Sequence, residues 1–464
     1  MPFAFLLACL CAPASAAEMS GAQLGLVWGV PFVGILLSIA LLPLLAAHLW
    51  HHHYGKISAL WALAFLVPFA VIYGFSTTLH LLAHTALLEY LPFIILLLAL
   101  FTVSGGIQLR GNLHGAPAVN TAMLAVGTGI ASWTGTTGAA MLLIRPLLRA
   151  NDSRRYNAHV VIFFIFLVAN VGGSLTPLGD PPLFLGFLKG VSFFWTTTHM
   201  LLPMLVVASV LLVAFYFLDR YYYAKETDLP PRPDPTPDNR LGLEGKRNLV
   251  LLGGIIGAVL MSGIWNPDVA FPVFGTPVLL QNLVRDLLLL GITVVSFFGT
   301  PARVHEANQF NWAPIAEVAK LFAGIFVTII PVIAILQAGS DGALAPLVAM
   351  VSAPDGQPID SAYFWLTGVL SSFLDNAPTY LVFFNLAGGD AQQLMGAMAS
   401  TLLAVSAGAV FMGANTYIGN APNFMVKAIA EERGVRMPSF FGYMLWSTVF
   451  LVPLFVVVTL IFFR

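Results

Sequence analysis

Gly172-Gly173-Ser174-Leu175-Thr176-Pro177-Leu178-Gly179-Asp180-Pro181-Pro182 interrupts an apolar run that otherwise reads as one membrane-spanning helix over 157–188. Pro has no backbone N–H and breaks the helical ladder, and Gly weakens it. The run therefore reads as a discontinuous helix. Gly413-Ala414-Asn415-Thr416-Tyr417-Ile418-Gly419-Asn420-Ala421-Pro422-Asn423 interrupts the run 396–430 in the same way. Thr176, Leu178, Gly179, Asp180, Pro182 and Phe184 align with Thr416, Ile418, Gly419, Asn420, Pro422 and Phe424, at a constant offset of 240 residues.

The same offset joins two further segments. In the apolar stretches 118–149 and 361–388, the middle is polar or small. It reads Ser132-Trp133-Thr134-Gly135-Thr136 in the first and Ser371-Ser372-Phe373-Leu374-Asp375-Asn376-Ala377-Pro378-Thr379 in the second. Each half is too short to cross a bilayer, so both read as re-entrant helical hairpins. Irregular backbone at membrane depth is tolerated only inside protein or along a cavity. Offsetting by 240 places Ser132 on Ser372, Gly135 on Asp375 and Thr136 on Asn376. One register thus relates both features of the two halves. One hairpin enters from each side, so the halves are expected as inverted repeats, 18–220 and 248–464. Interrupted segments at matching positions of two halves point to a transporter's binding site.

Composition agrees with a membrane protein. Of 464 residues, 58% are hydrophobic and only 9% charged, against about 25% charged in soluble domains. Spans are expected at about 23–49, 57–77, 88–108, 157–188, 197–220, 248–265, 279–299, 313–338, 396–430 and 440–463. That is an all-α polytopic fold of ten spans plus two hairpins. With the first hairpin on the cytoplasmic side, 17 of the 20 Lys and Arg fall inside or at the inner boundary, a strong positive-inside bias. The expected location is a bacterial-type inner membrane with a periplasmic mature N-terminus. Residues 1–17 read as a signal peptide; they hold the only cysteines, Cys9 and Cys11, so there is no disulfide framework. The Pro-rich, charged stretch 221–247 reads as an extended cytoplasmic linker. A net charge of −1 gives no field to attract nucleic acid. P-loop, HExxH and GxSxG signatures are absent, so an enzyme is not expected.

Broken helices leave unpaired N–H and C=O groups near the midplane. Helix N-termini favour anions, while C-termini and free carbonyls favour cations. Asp180 and Asp375 are the acids inside the interrupted regions, and intramembrane acids are costly enough to imply function. Capping a helix is the alternative role for Asp180. Candidate ligands around them are Asn376, Asn415, Asn420, Asn423, Thr176, Thr416, Ser132, Thr134, Thr136 and Thr379, with capping and interhelical packing as the competing reading. Oxygens of Asp180, Asp375, Asn376 and Asn415 suit a sodium ion. His51, His52 and His53 read as an interfacial flank, and Glu317 with Lys320 as a boundary ion pair.

The paired hairpins, with "GGSLTPLGDPP" and "GANTYIGNAPN", resemble the ion-transporter superfamily. It comprises D-type sodium/proton antiporters, citrate carriers, divalent-anion/sodium symporters and arsenite-efflux permeases. The resemblance is nearest to the bacterial citrate-transport or sodium/proton-antiporter branch and runs from about residue 20 to the end. Leu175 to Asp180 is similar to the TPxGD stretch of the D-type antiporters, which implies ion handling by Thr176 and Asp180. Those antiporters carry an Asp-Asn pair at the first hairpin tip; here that tip is Gly135-Thr136, and the pair is Asp375-Asn376 in the second. The departure leaves the driven ion open. The resemblance further implies a homodimer. Sodium/proton antiport is the first expectation, with Na⁺ and H⁺ as coupling ions and no cofactor. Sodium- or proton-coupled citrate or dicarboxylate transport is the alternative. A membrane-embedded enzyme or channel subunit is a minor third.

Overall fold

The computed structural model describes residues 20–227 and 239–464. The expected leader with its two cysteines, and residues 228–238 of the expected linker, lie outside the described residues. The chain is an all-α polytopic membrane protein. It opens with α1 (Leu26–Leu45), α2 (Ala47–Tyr73) and α3 (Phe75–Gly105). Strand β1 (Gln108–Asn112) leads into the helix pair α4 (Pro117–Thr134) and α5 (Thr136–Ala150). A broken segment follows, made of α6 (Ala158–Leu167) and α7 (Pro181–Leu188), and then α8 (Phe193–Thr227).

The second half starts with β2 (Asn239–Glu244) and α9 (Lys246–Ile264). A two-stranded hairpin, β3 (Ala270–Val273) and β4 (Thr276–Leu279), precedes α10 (Leu280–Gly299). The bent pair α11 (Ala313–Thr328) and α12 (Ile330–Gln337) comes next. Then come α13 (Asp360–Phe373) and α14 (Asn376–Leu386), the broken segment α15 (Ala399–Met412) and α16 (Ala421–Glu432), and α17 (Phe440–Phe462).

Seven helices among the described residues are long and apolar enough to cross a membrane: α1, α2, α3, α8, α9, α10 and α17. The α11–α12 pair, bent by 42°, makes an eighth. The remaining two of the ten expected spans are the broken segments, where Ala158–Ser174 and Ala399–Asn415 stop short of a full crossing. Burial separates the two kinds. Every residue of α6 from His159 to Leu167 is buried, as is α15 from Val405 to Met412. The continuous helices instead carry exposed apolar side chains such as Val71, Val250 and Phe298, each at least 77% exposed. Uniformly apolar sequence with no polar stripe suits both fates, since lipid and core are equally apolar.

The helix pairs turn within one or two residues. Between α4 and α5 the only residue is Gly135, at φ 77°, a conformation that costs a side chain about 1–2 kcal/mol and glycine almost nothing. Leu374 and Asp375 make the turn between α13 and α14, where Asp375 caps α14 by accepting from Ala377 N at 3.0 Å.

Three expectations need correction. Helix α8 does not give way to linker at residue 221 but runs on to Thr227, because Tyr221 to Glu226 contains neither Pro nor Gly and Lys225 lies 4.4 Å from the Tyr221 ring. At the far end of the stretch, β2 is not extended coil. It pairs antiparallel with β1, Gln108 opposite Glu244 and Arg110 opposite Gly242. Finally, Glu317 and Lys320 form no ion pair among the described residues: Lys320 sits over the Tyr54 ring at 5.5 Å, while Glu317 faces the main cavity.

Candidate functional site

The two broken segments are built on the same hydrogen bonds. Thr176 Oγ1 donates to the Ser132 carbonyl at the C-terminal end of α4, and receives the Leu178 N–H. At the 240-residue offset, Thr416 Oγ1 donates to the Ser372 carbonyl at 2.5 Å and receives the Ile418 N–H at 3.2 Å. Each threonine thus ties its broken segment to the neighbouring hairpin. Ser132 Oγ donates to Gly172 O at 2.6 Å and receives the Leu175 N–H. Ser372 Oγ donates to Gly368 O at 2.7 Å and receives Asn415 Nδ2.

Asp180 stands at the N-cap position of α7, makes no capping hydrogen bond with its side chain, and is 1% exposed. Its carboxylate accepts from three side chains of three other elements. Thr136, at the start of α5, and Asn420, at the cap of α16, reach Oδ1 at 3.2 Å each. Asn376, at the start of α14, reaches Oδ2 at 2.5 Å. Asp180 is where both hairpins and both broken segments meet. Helices α5, α7, α14 and α16 all begin within a residue of these groups, so their positive dipole ends converge there. In α7 the first two residues are Pro181 and Pro182, which contribute a dipole but no N–H.

A cavity of about 430 Å³ reaches this point. It is lined by Thr134, Thr136, Asp180, Asp375 and Asn420 at one end, and by Trp50, His51, Pro314 and Glu317 at the other. No Lys or Arg lines it among the described residues. Its walls therefore come partly from the hairpins and broken segments and partly from α1, α2, α3 and α11. Asp375 is half-buried there, with one carboxylate oxygen engaged by Ala377 N.

The other candidates are placed differently. Ser132, Thr176 and Thr416 use their hydroxyls on backbone, as above. Thr134 Oγ1 bonds Ile130 O of its own helix at 3.1 Å, and Thr379 bonds Asp375 O at 3.0 Å. Asn423 Nδ2 donates to Gly413 O and Thr416 O at 2.9 Å each, holding the break in place. Asn376 Oδ1 and Asn415 Oδ1 are buried without a hydrogen-bond partner. Thus Asp180, Asp375, Asn376, Asn420 and Thr136 are brought together, while Ser132, Thr176, Thr416 and Asn423 form the frame. Asn415 bonds Ser372 and lies outside the cavity lining. Among the described residues no group of three His, Cys, Asp or Glu could hold a metal ion.

A family model described as "Putative citrate transport" matches residues 21–463. The chain belongs to that family. The match covers nearly the whole chain, broken segments and hairpins included, and makes this a member of a transport family rather than of an enzyme family. No curated protein matches the chain at a significant level.

In this family member one residue escaped sequence reading. Asn170, fully buried, donates to Ile165 O at 2.8 Å and to Asn423 Oδ1 at 2.7 Å, and accepts from Asn420 Nδ2 at 3.2 Å. It joins the two broken segments directly. Its only sequence signal is an amide at the end of an apolar run, ten residues before Asp180. Asn170→Leu is expected to lower stability by about 2–4 kcal/mol, because Asn423 Oδ1 and one Asn420 contact lose their partner in a dry setting. Thermal melting in detergent checks this; a variant melting like the parent would remove Asn170 from the frame.

Proposed function

We propose that this chain is a cation-coupled carrier of a small polycarboxylate of the citrate class. The observation that carries the reading is one cavity in which two carboxylates, Asp180 and Asp375, face four helix N-termini with no Lys or Arg among the lining residues. Each N-terminus acts as about half a positive charge, so four together amount to about two. Two ionised carboxylates cancel that field and leave nothing to attract a polyanion. A cation or proton on Asp180 or Asp375 leaves the field positive, and the polyanion then binds. Cation binding and anion binding are thereby coupled in one site. Support also comes from the family, whose description names citrate.

Within this reading, Asp180, Asp375 and Asn376 hold Na⁺ or carry H⁺, and the anion meets the N–H groups at the starts of α5, α14 and α16. The two halves act as inverted repeats, in a homodimer, with the Lys- and Arg-rich face cytoplasmic and the mature N-terminus periplasmic. A second reading, sodium/proton antiport, is favoured by the same pair of carboxylates, with no Lys or Arg among the described lining residues.

Proteoliposomes of the purified chain discriminate between the two. Coupled carriage predicts that an inward Na⁺ or H⁺ gradient drives labelled citrate accumulation and that Asp375→Asn reduces it at least tenfold. Antiport predicts that Na⁺ collapses a preformed ΔpH with no citrate present. Cation-driven ΔpH collapse without any citrate uptake would overturn the first reading.

A further inference from the structure

A third carboxylate lines the main cavity and takes no part in the contacts around Asp180. Glu317 lies near the start of α11, half-buried within the bent span that α11 and α12 form. The cation closest to it in sequence, Lys320, turns away to the Tyr54 ring at 5.5 Å. No Lys or Arg among the described residues lines the cavity to take its place. A carboxylate inside a span without a cation is costly, and such groups mark ion and proton pathways.

The two ends of the cavity differ. Thr136, Asp180 and Asn420 at one end are buried, whereas His51, Asn311, Ala313 and Pro314 at the other are exposed, so that end is the mouth. There the Glu317 carboxylate lies against the Trp50 indole and the His51 imidazole of α2. Ser58 Oγ of α2 donates to Lys320 O at 2.8 Å and fixes the two helices against each other. The remaining titratable groups are accounted for. Asp180, Asp375 and Tyr417 face Glu317 across the cavity, Tyr90 of α3 bonds Ala319 O at 3.0 Å, and α1 carries none. The mouth has no oxygen cage for Na⁺. A hard cation takes several oxygen ligands, but Trp50, Pro314 and Val318 offer no side-chain oxygen, and Asn311 Oδ1 already accepts from Ala313 N at 3.0 Å. A carboxylate beside an imidazole instead suits the passage of protons.

We infer that Glu317 is the proton-release station of this cavity: it takes the coupling proton from Asp180 or Asp375 and passes it through His51 to water at the mouth. The inference rests on the coupled-carrier reading above. In the transfer, the O–H bond of the aspartyl carboxyl breaks, an O–H bond forms on the Glu317 carboxylate, and the aspartate is left ionised. The proton then leaves by a ring nitrogen of His51, and Glu317 returns to the carboxylate. One such transfer changes the field along the cavity twice. It restores a negative charge among the helix N-termini that hold the polyanion, and it removes one at the mouth that the polyanion must pass. Both changes drive the anion out through the mouth.

Two assays on the full chain in proteoliposomes test the station. Net citrate uptake driven by a proton gradient needs a proton released in every cycle, whereas citrate–citrate exchange at equal pH does not. Glu317→Gln is expected to cut net uptake at least about tenfold and to leave exchange within about twofold of the parent. Glu317→Asp, which keeps the carboxylate, should recover most of the net uptake. Equal loss in both assays would make Glu317 a packing or anion-binding residue and overturn the inference, as would full net uptake by Glu317→Gln. Parent uptake that follows Na⁺ and ignores the proton gradient would overturn it too, with the carrier reading intact. A parent that moves no citrate while Na⁺ collapses ΔpH would sink the carrier reading alone. Glu317→Gln should then slow that collapse by the same factor, and an unchanged collapse would overturn the station.

Discussion

Asp180→Asn is expected to abolish transport while leaving a folded, membrane-inserted protein. The substitution keeps the volume but replaces one acceptor oxygen by an NH₂ group. Asn376 Nδ2 holds one carboxylate oxygen, and Thr136 Oγ1 and Asn420 Nδ2 hold the other. Whichever way the new amide turns, it places a donor against a donor amide. The structural cost is about 1–3 kcal/mol for one buried group without an acceptor, within what a packed membrane fold tolerates. The functional cost is larger, because the charge that opposes four helix N-termini is gone. Losing charge-assisted contacts of about 1.5–3 kcal/mol weakens cation binding by roughly 10- to 100-fold, and coupled flux falls at least as much.

A paired exchange separates charge from packing. Asp180→Asn combined with Asn376→Asp returns a carboxylate to the partner 2.5 Å away and restores a donor–acceptor match. Cation-dependent transport should recover in part, with melting close to the parent. Full transport by the single variant would show that the carboxylate at 180 has no part in coupling.

The fold class was open to sequence reading because its signals are local. Long apolar runs mark helices, and the Gly and Pro of 172–182 and 413–423 mark the breaks within a few residues of where α6 and α15 stop. What could not be read is nonlocal. Asn170 finds its partners 250 and 253 residues away, and nothing beside it in the chain announces them. The strand Asn239–Glu244 exists because Gln108–Asn112 lies alongside; its own sequence has little β character. Composition also groups hydroxyls that geometry divides. Thr136 points at Asp180, Thr176 and Thr416 bind carbonyls across an interface, and Thr134 and Thr379 bond their own helices. Periodicity does not decide which of these hydroxyls remain for a ligand, because that depends on where the neighbouring carbonyls end.

The second large effect is expected at Gly179, which makes the close approach the whole site depends on. A Cβ there would lie 2.1 Å from Gly173 O, 2.7 Å from Gly173 C and 2.9 Å from Ser132 Cα, all backbone atoms. None can swing aside as a flexible side chain would. Gly179 O also receives the Thr136 N–H at 2.8 Å, so moving residue 179 outward releases the start of α5 and displaces Thr136 from Asp180. Overpacking usually costs about 1–3 kcal/mol; with backbone on every side and a buried hydrogen bond broken, Gly179→Ala should exceed about 4 kcal/mol and leave little folded carrier. Gly419, at the 240-residue offset, is nearly as tight, with Gly413 O at 2.5 Å and Ser371 O at 2.8 Å. Gly129 on α4 has nothing within 4 Å of its Cβ position, so Gly129→Ala should be neutral or gain up to about 1 kcal/mol from helix propensity. Melting in detergent and citrate uptake, measured on the three variants side by side, test the point. If Gly179→Ala melts and transports like Gly129→Ala, the packing of hairpin against broken segment is not what holds Asp180 in place.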